Sequence, residues 1–151
     1  MLDINCVKSN FTHALETRCS DKGCELKLFG LKNYIVLKGE DLCQSRRICD
    51  CIIFKVHSYI IVGIVELKSK TAHSSEVVEK LTNGSNVALD ILEKCSDKHM
   101  KFEFYHIVLC KRWTSSEYRV IISRKITVRG KRYNIMLKRC GVSFSEIISG
   151  S

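Results

Sequence analysis

DCIIFKVHSYIIVGIVELK, residues 50–68, is the stretch that decides the fold. It contains most of two runs rich in Ile, Val, Phe and Tyr, 49–56 and 59–67, separated only by His57 and Ser58. Such residues around so short a break predict two strands joined as an antiparallel hairpin. The second run is apolar at consecutive positions, which suits a central strand buried on both faces. Asp50 lies at the start of the first run, and Glu66 and Lys68 lie at the end of the second.

Outward from the hairpin, residues 24–29 and 33–38 read as shorter strands, and 10–19 as a short helix with Asn10 as its cap. Downstream, 75–95 reads as a long helix with Val77, Val78, Leu81, Ala88, Ile91, Leu92 and Cys95 on one stripe. Asn83-Gly84-Ser85-Asn86 interrupts it, so a kink or a split is expected there. Residues 101–110, 118–123 and 133–138 read as strands, with a hairpin turn at Arg129-Gly130-Lys131. The order is helix, strands, helix, strands, which predicts one α/β domain over 1–151 with a mixed sheet flanked by helices. Proline is absent and no linker, repeat or low-complexity tract marks a boundary.

The chemistry follows from the hairpin register. A turn centred near residue 58 pairs positions whose numbers sum to about 116, which sets Asp50 opposite Glu66, with Cβ atoms about 4.5–5.5 Å apart. Two carboxylates that close repel unless a cation lies between them, and oxygen ligands of this kind suit Mg²⁺ or Mn²⁺. Lys68 is two residues beyond Glu66 and points to the same face, so an ammonium stands beside the cation. It is suited to orienting a water or to stabilising charge on a phosphate.

Asp50 followed by Glu66-Leu67-Lys68 at the end of the next strand, and then a helix, resembles the PD-(D/E)XK nuclease superfamily, with its restriction-endonuclease-like fold. The resemblance covers roughly residues 10–110, including the element order. Cys49 stands where the proline of the family's name would be. The resemblance implies a metal held by Asp50, Glu66 and the Leu67 carbonyl, with Glu16 as a further ligand from the first helix, and Lys68 as the catalytic lysine. It implies a metal-dependent phosphodiesterase, with DNA favoured over RNA. Small members such as the archaeal junction resolvases are dimers, so a homodimer is a further expectation.

Charge supports a polyanionic partner. Residues 111–139 hold ten basic side chains and one acid, Glu117, and so carry the entire formal excess of +9. Arg112, Arg129, Lys131 and Arg132 in this segment, with Arg46, Arg47 and Lys80 nearer the motif, are the candidate nucleic-acid contacts. Trp113 and Tyr118, interleaved with basic residues, are candidates for stacking on bases. His73 and Asn83 are weaker candidates for lining the substrate groove. Two other readings carry the same features: a non-catalytic nucleic-acid-binding module, and an interaction domain meeting an acidic protein.

Nine cysteines occur in no CxxC pair and read as reduced, buried thiols; Cys19, Cys24, Cys49 and Cys51 form the alternative of a metal cluster. No secretory signal and no stretch able to span a bilayer is visible, so no membrane association and an intracellular location, cytoplasmic or nuclear, are expected.

Overall fold

A computed structural model describes residues 1–68 and 73–150. The chain starts with α1 (Ile4–Asn10), capped by Asp3, whose carboxylate accepts from the Cys6 N–H at 3.1 Å. A single 3₁₀ turn (Thr12–Ala14) leads into β1 (Leu15–Glu16). Then come β2 (Cys19–Asp21), β3 (Cys24–Leu26), β4 (Tyr34–Lys38), α2 (Gly39–Leu42), β5 (Cys51–Val56), β6 (Ile60–Lys68) and α3 (Ser74–Cys95). The remainder is β7 (Phe102–Cys110), α4 (Ser115–Ile122), β8 (Lys125–Val128), β9 (Lys131–Arg139) and α5 (Phe144–Ser149).

Seven strands form one mixed sheet in the order β1-β4-β5-β6-β7-β9-β8, and β2 and β3 make a separate two-stranded ribbon. The pairs from β1 to β6 are antiparallel, β6, β7 and β9 run parallel, and β8 turns back on β9. The mixed sheet flanked by helices agrees with the sequence reading.

Strand β6 shows why this arrangement is stable. Ile60, Val62 and Ile64 face the cluster that includes Val77, Leu81 and Ala88 of α3. Ile61, Val65 and Leu67 face the opposite cluster, with Cys19, Leu26, Phe144 and Ile147. A strand covered on both sides needs apolar residues at every position, which is what 60–65 supplies. Glu66 and Lys68 continue the alternation on the α3 side.

Three local readings are corrected. The first helix covers Ile4–Asn10 rather than 10–19, and Glu16 lies on β1, opposite Val36 of β4. Residues 118–123 are not a strand: Thr114 caps α4 by accepting from the Glu117 N–H at 3.2 Å. Thr114-Ser115-Ser116-Glu117 is a capping-box sequence, and it outweighs the β preference of Tyr118, Val120, Ile121 and Ile122. Helix α3 runs unbroken through Gly84. That glycine has a packing role: an added Cβ would lie 2.4 Å from the Cys49 sulfur and 3.0 Å from Ile64 Cγ2. The expected turn at Arg129-Gly130 is present, with both residues at positive φ between β8 and β9.

The cysteine reading is also corrected. Cys6–Cys95, Cys19–Cys51 and Cys24–Cys140 are disulfides. They tie α1 to α3, the ribbon to β5, and the ribbon to the segment after β9. Cys19, Cys51 and Cys24 are therefore not available as a thiolate metal cluster, and the argument for a reducing compartment loses its support. No helix among the described residues is long and apolar enough to cross a membrane.

Candidate active site

The register is the expected one. Cys51 pairs with Val65 and Ile52 with Ile64, so Asp50, one residue before β5, stands opposite Glu66. The Asp50 backbone N–H donates to the Val65 carbonyl at 2.9 Å, which fixes its place at the strand entrance. Its Oδ2 accepts from the Leu67 N–H at 2.7 Å. Leu67 thus orients Asp50 through its amide, a role its sequence position did not disclose.

Glu66 is 1% exposed. Lys68 Nζ lies 3.2 Å and Lys80 Nζ 3.1 Å from Glu66 Oε2. Both ammonium groups also reach Glu76 Oε1, at 3.4 Å and 3.1 Å. Both ammonium groups thus balance Glu66 at Oε2, while Oε1 has no partner. A buried carboxylate oxygen left over in this way, beside a second carboxyl, is costly. A proton on Asp50 or a cation between the two side chains would relieve it.

The electrostatics point the same way. Burial, and then the adjacent Glu66 carboxylate, push the Asp50 carboxyl up to about 8, against the Leu67 N–H that favours its ionised form. Glu76 is held below the usual carboxylate range by Lys80 first and Lys68 next. For Lys80, burial alone would lower its pKa, but Glu66 and Glu76 outweigh that and hold it above the ordinary lysine value. With Asp50 neutral, two carboxylates balance two ammonium groups; ionising Asp50 leaves an excess negative charge that a divalent cation can take up.

An open cleft of about 380 Å³ leads to this cluster, lined by Asp50, Lys80, Glu16, Asp21, Lys38 and Glu40 among others. Glu16, misplaced on a helix in the sequence reading, still borders the cleft. Asp21 reaches it from the β2–β3 ribbon and adds to the negative field on Asp50. No sequence pattern ties Asp21 to the motif; the Cys19–Cys51 bridge brings its strand there. Glu76, an acid in the first turn of α3, was not among the residues the sequence singled out, although its spacing to Lys80 is the i, i+4 of a helical ion pair.

The candidate phosphate contacts divide into two groups. Arg46, Arg47 and Lys80 share a groove with Glu40 and Asp41, and Arg47 lies 4.0 Å from Glu76. Asn83 donates to the Arg47 carbonyl at 2.6 Å, so it holds that loop rather than lining a groove. Arg112 follows β7 at the end of the sheet that carries Lys68. Arg129, Lys131 and Arg132 lie at the opposite end, roughly 25 Å away along the strands. Arg129 is paired with Glu93 and Lys131 with Glu103. His73 is the N-cap residue of α3.

Among the described residues, no three His, Cys, Asp or Glu side chains converge as a ready-made metal cage. Mg²⁺ is commonly held by one or two carboxylates with water completing its shell, and Asp50 and Glu66, with Oε1 unpartnered, fit that donor set. Comparison with protein-family models, with curated proteins and with solved structures finds no match to this chain.

Proposed function

We propose that the chain is a metal-dependent phosphodiesterase, and within that class a nuclease of the PD-(D/E)XK type. The observation that carries this reading is Glu66: a carboxylate 1% exposed, opposite a second carboxyl, with no partner for Oε1 and a lysine on the next residue of the same face. A fold that needed only stability would place apolar side chains there.

Asp50 and Glu66 would hold Mg²⁺ or Mn²⁺. Such an ion supplies Lewis-acid polarisation of a phosphate oxygen and lowers the pKa of a bound water. Leu67 keeps Asp50 aimed through its N–H. Lys68 presents its ammonium to the attacking water and to the negative charge growing on the phosphate oxygens. Glu76 draws Lys68 and Lys80 together, so both amines are positioned before substrate arrives. Water adds to phosphorus, the bond to the leaving sugar oxygen breaks, and that oxygen is protonated from solvent. DNA is favoured over RNA on the strength of the family resemblance alone.

A second reading has its own observation. Lys80 and Lys68 already set two positive charges on Glu66, so the site could be an internal ion-pair network in a non-catalytic nucleic-acid-binding module. One assay separates the two. Plasmid, single-stranded DNA and RNA are incubated with Mn²⁺ or with EDTA, using the wild type, Asp50→Asn and Lys68→Ala. The nuclease reading expects cleavage only with Mn²⁺ and only by the wild type, with binding retained in both variants. Binding without Mn²⁺-dependent cleavage by the wild type would establish the second reading.

A further inference from the structure

Three of the five exposed large hydrophobic residues among those described, Tyr118 (41%), Val120 (48%) and Ile122 (38%), lie on the eight-residue helix α4. Single exposed apolar residues are ordinary, but Tyr118 and Ile122, four residues apart, share one face of α4, while Val120 lies on the other beside Glu117. Trp113, just before the helix, packs edge-to-face on Tyr118, with ring centroids 6.0 Å apart and planes at 87°. Its indole N–H donates to the Lys138 carbonyl at 2.8 Å, so the ring is fixed before any ligand binds. Trp113, Thr114, Ser115, Tyr118 and Arg119 line one open groove.

This surface belongs to the end of the sheet that carries the candidate site. Cys110 at the end of β7 is the register partner of Lys68, and Arg139 at the end of β9 is the partner of Cys110. The N-terminus of α3 shares a groove with α4 through His73, Ser74 and Ser75, just ahead of Glu76. Glu117, the only acid on α4, lines that second groove rather than the aromatic one.

Charge selects the ligand. Arg119 lines the groove with the aromatic pair, Arg112 directly precedes Trp113, and the Lys138 carbonyl holds its indole; all three are exposed, and none has an ion-pair partner among the described residues. At the far end Arg129 and Lys131 are paired, and of the three candidate contacts there only Arg132 has no ion-pair partner among the described residues. Unpaired cations surrounding a fixed aromatic pair suit a ligand with both phosphates and accessible ring faces. A duplex hides its ring faces in its stack; a single strand offers them.

We propose that Trp113 and α4 form a platform for single-stranded nucleic acid, on which unpaired bases stack against Trp113 and Tyr118 while the backbone runs over the strand ends towards Lys68. The path towards Lys68 rests on the nuclease reading; the stacking platform does not.

Trp113 is the only tryptophan in the chain, so intrinsic emission reports on this place alone. The wild type is titrated in EDTA at low salt with oligothymidylate, oligouridylate, a blunt-ended duplex and heparin. Saturable quenching by either single strand, tighter than by duplex and absent with heparin, is expected, and the tighter single strand names the preferred sugar. Tyr118→Ala should weaken single-strand binding about tenfold, Tyr118→Phe should restore it, and heparin affinity, read by the anisotropy of labelled heparin, should be the same in all three proteins. Equal response to heparin, as an acidic protein partner would predict, overturns the proposal, as does single-strand affinity unchanged in Tyr118→Ala. Lys68→Ala should keep the quenching, so loss of cleavage and loss of the platform are separately visible.

Discussion

Burial first, and the Glu66 carboxylate next, push the Asp50 carboxyl up to about 8, and holding an ionised carboxylate at this place costs the metal-free fold accordingly. Its folded-state value exceeds the unfolded one, so the folded protein binds the extra proton, and stability falls as pH rises from the ordinary carboxylate range towards 8. Asp50→Asn removes that liability, keeps an oxygen for the Leu67 N–H, and offers Glu66 an amide donor. In EDTA near pH 8 it should be more stable than the wild type by about 1 kcal/mol, as substitutions that relax a functional site commonly are. It should also lose any stabilisation by Mn²⁺. Urea midpoints with and without Mn²⁺ measure both, and a lower midpoint for Asp50→Asn in EDTA would contradict the strain assigned to the pair. His106 makes an opposite pH demand. Burial pulls its imidazole down to about 3, between the rings of Phe104 and Tyr133, with Nε2 2.7 Å from Ser85 Oγ and Nδ1 without a partner. The unfolded chain takes up a proton near the ordinary histidine value while the folded chain resists it. The His106 contribution is therefore intact above that value and should fall by about 1.4 kcal/mol per pH unit between roughly pH 6 and 4, a slope read in the Asp50→Asn background, where the opposing slope of Asp50 is absent. His106→Phe should flatten this slope, because Ser85 retains the Leu81 carbonyl as acceptor. A slope unchanged in that variant would assign the acid lability to other groups.

Gly84 shows how element-scale preference and packing compete. Alanine would favour an α-helix interior by about 1 kcal/mol. Here an added Cβ would meet the Cys49 sulfur at 2.4 Å, and Cys49 is fully buried at the entrance to β5, next to Asp50. Overpacking of this kind costs about 1–3 kcal/mol, so Gly84→Ala should be net destabilising and should disturb Asp50. A chemical-denaturation midpoint equal to or above the wild type would show that Cys49 yields without cost. The same competition explains which elements could be read from sequence. The β5–β6 hairpin was legible because its apolar pattern is long and buried on both faces, and a short break fixed its register; Asp50, Glu66 and Lys68 followed from that register. The stripe from Val77 to Cys95 made α3 legible. The α4 residues were misread because Tyr118, Val120, Ile121 and Ile122 favour strands, and the Thr114 cap was overlooked. Lys80 was read as a groove residue, but its contact with Glu66 depends on the packing of α3 over β6, which no local pattern states. Asp21 depends on a disulfide between distant strands and was out of reach for the same reason.

At the scale of the whole molecule, the three bridges join parts of the chain that share few local contacts. Cys24–Cys140 spans 116 residues and Cys6–Cys95 spans 89, so the β2–β3 ribbon is fastened to the segment after β9, and α1 to the end of α3, late in sequence. Both ribbon strands are three residues long, too short to be stable alone, yet Asp21 and the wall of the cleft depend on them. Spacing alone did not reveal the pairing, because buried thiols and bridged cysteines both occupy apolar positions. A closed loop of this length is worth about 4–5 kcal/mol in the chain-entropy account, a large share of the ordinary stability of a domain. Such bridges persist in oxidising compartments or in hyperthermophile cells, and a mesophilic cytosol would reduce them. Alkylation of the denatured, unreduced chain should label three of the nine cysteines and leave six protected. Full reduction should then lower the urea-unfolding free energy by at least about 4 kcal/mol, with the ribbon releasing before the sheet, visible as early amide exchange at 19–26. If cleavage depends on the cleft wall as well as on the hairpin, reduction should also weaken metal-dependent cutting before the sheet unfolds. Labelling of all nine cysteines without reductant would return the protein to a reducing compartment and leave the ribbon, with Asp21, held by packing alone.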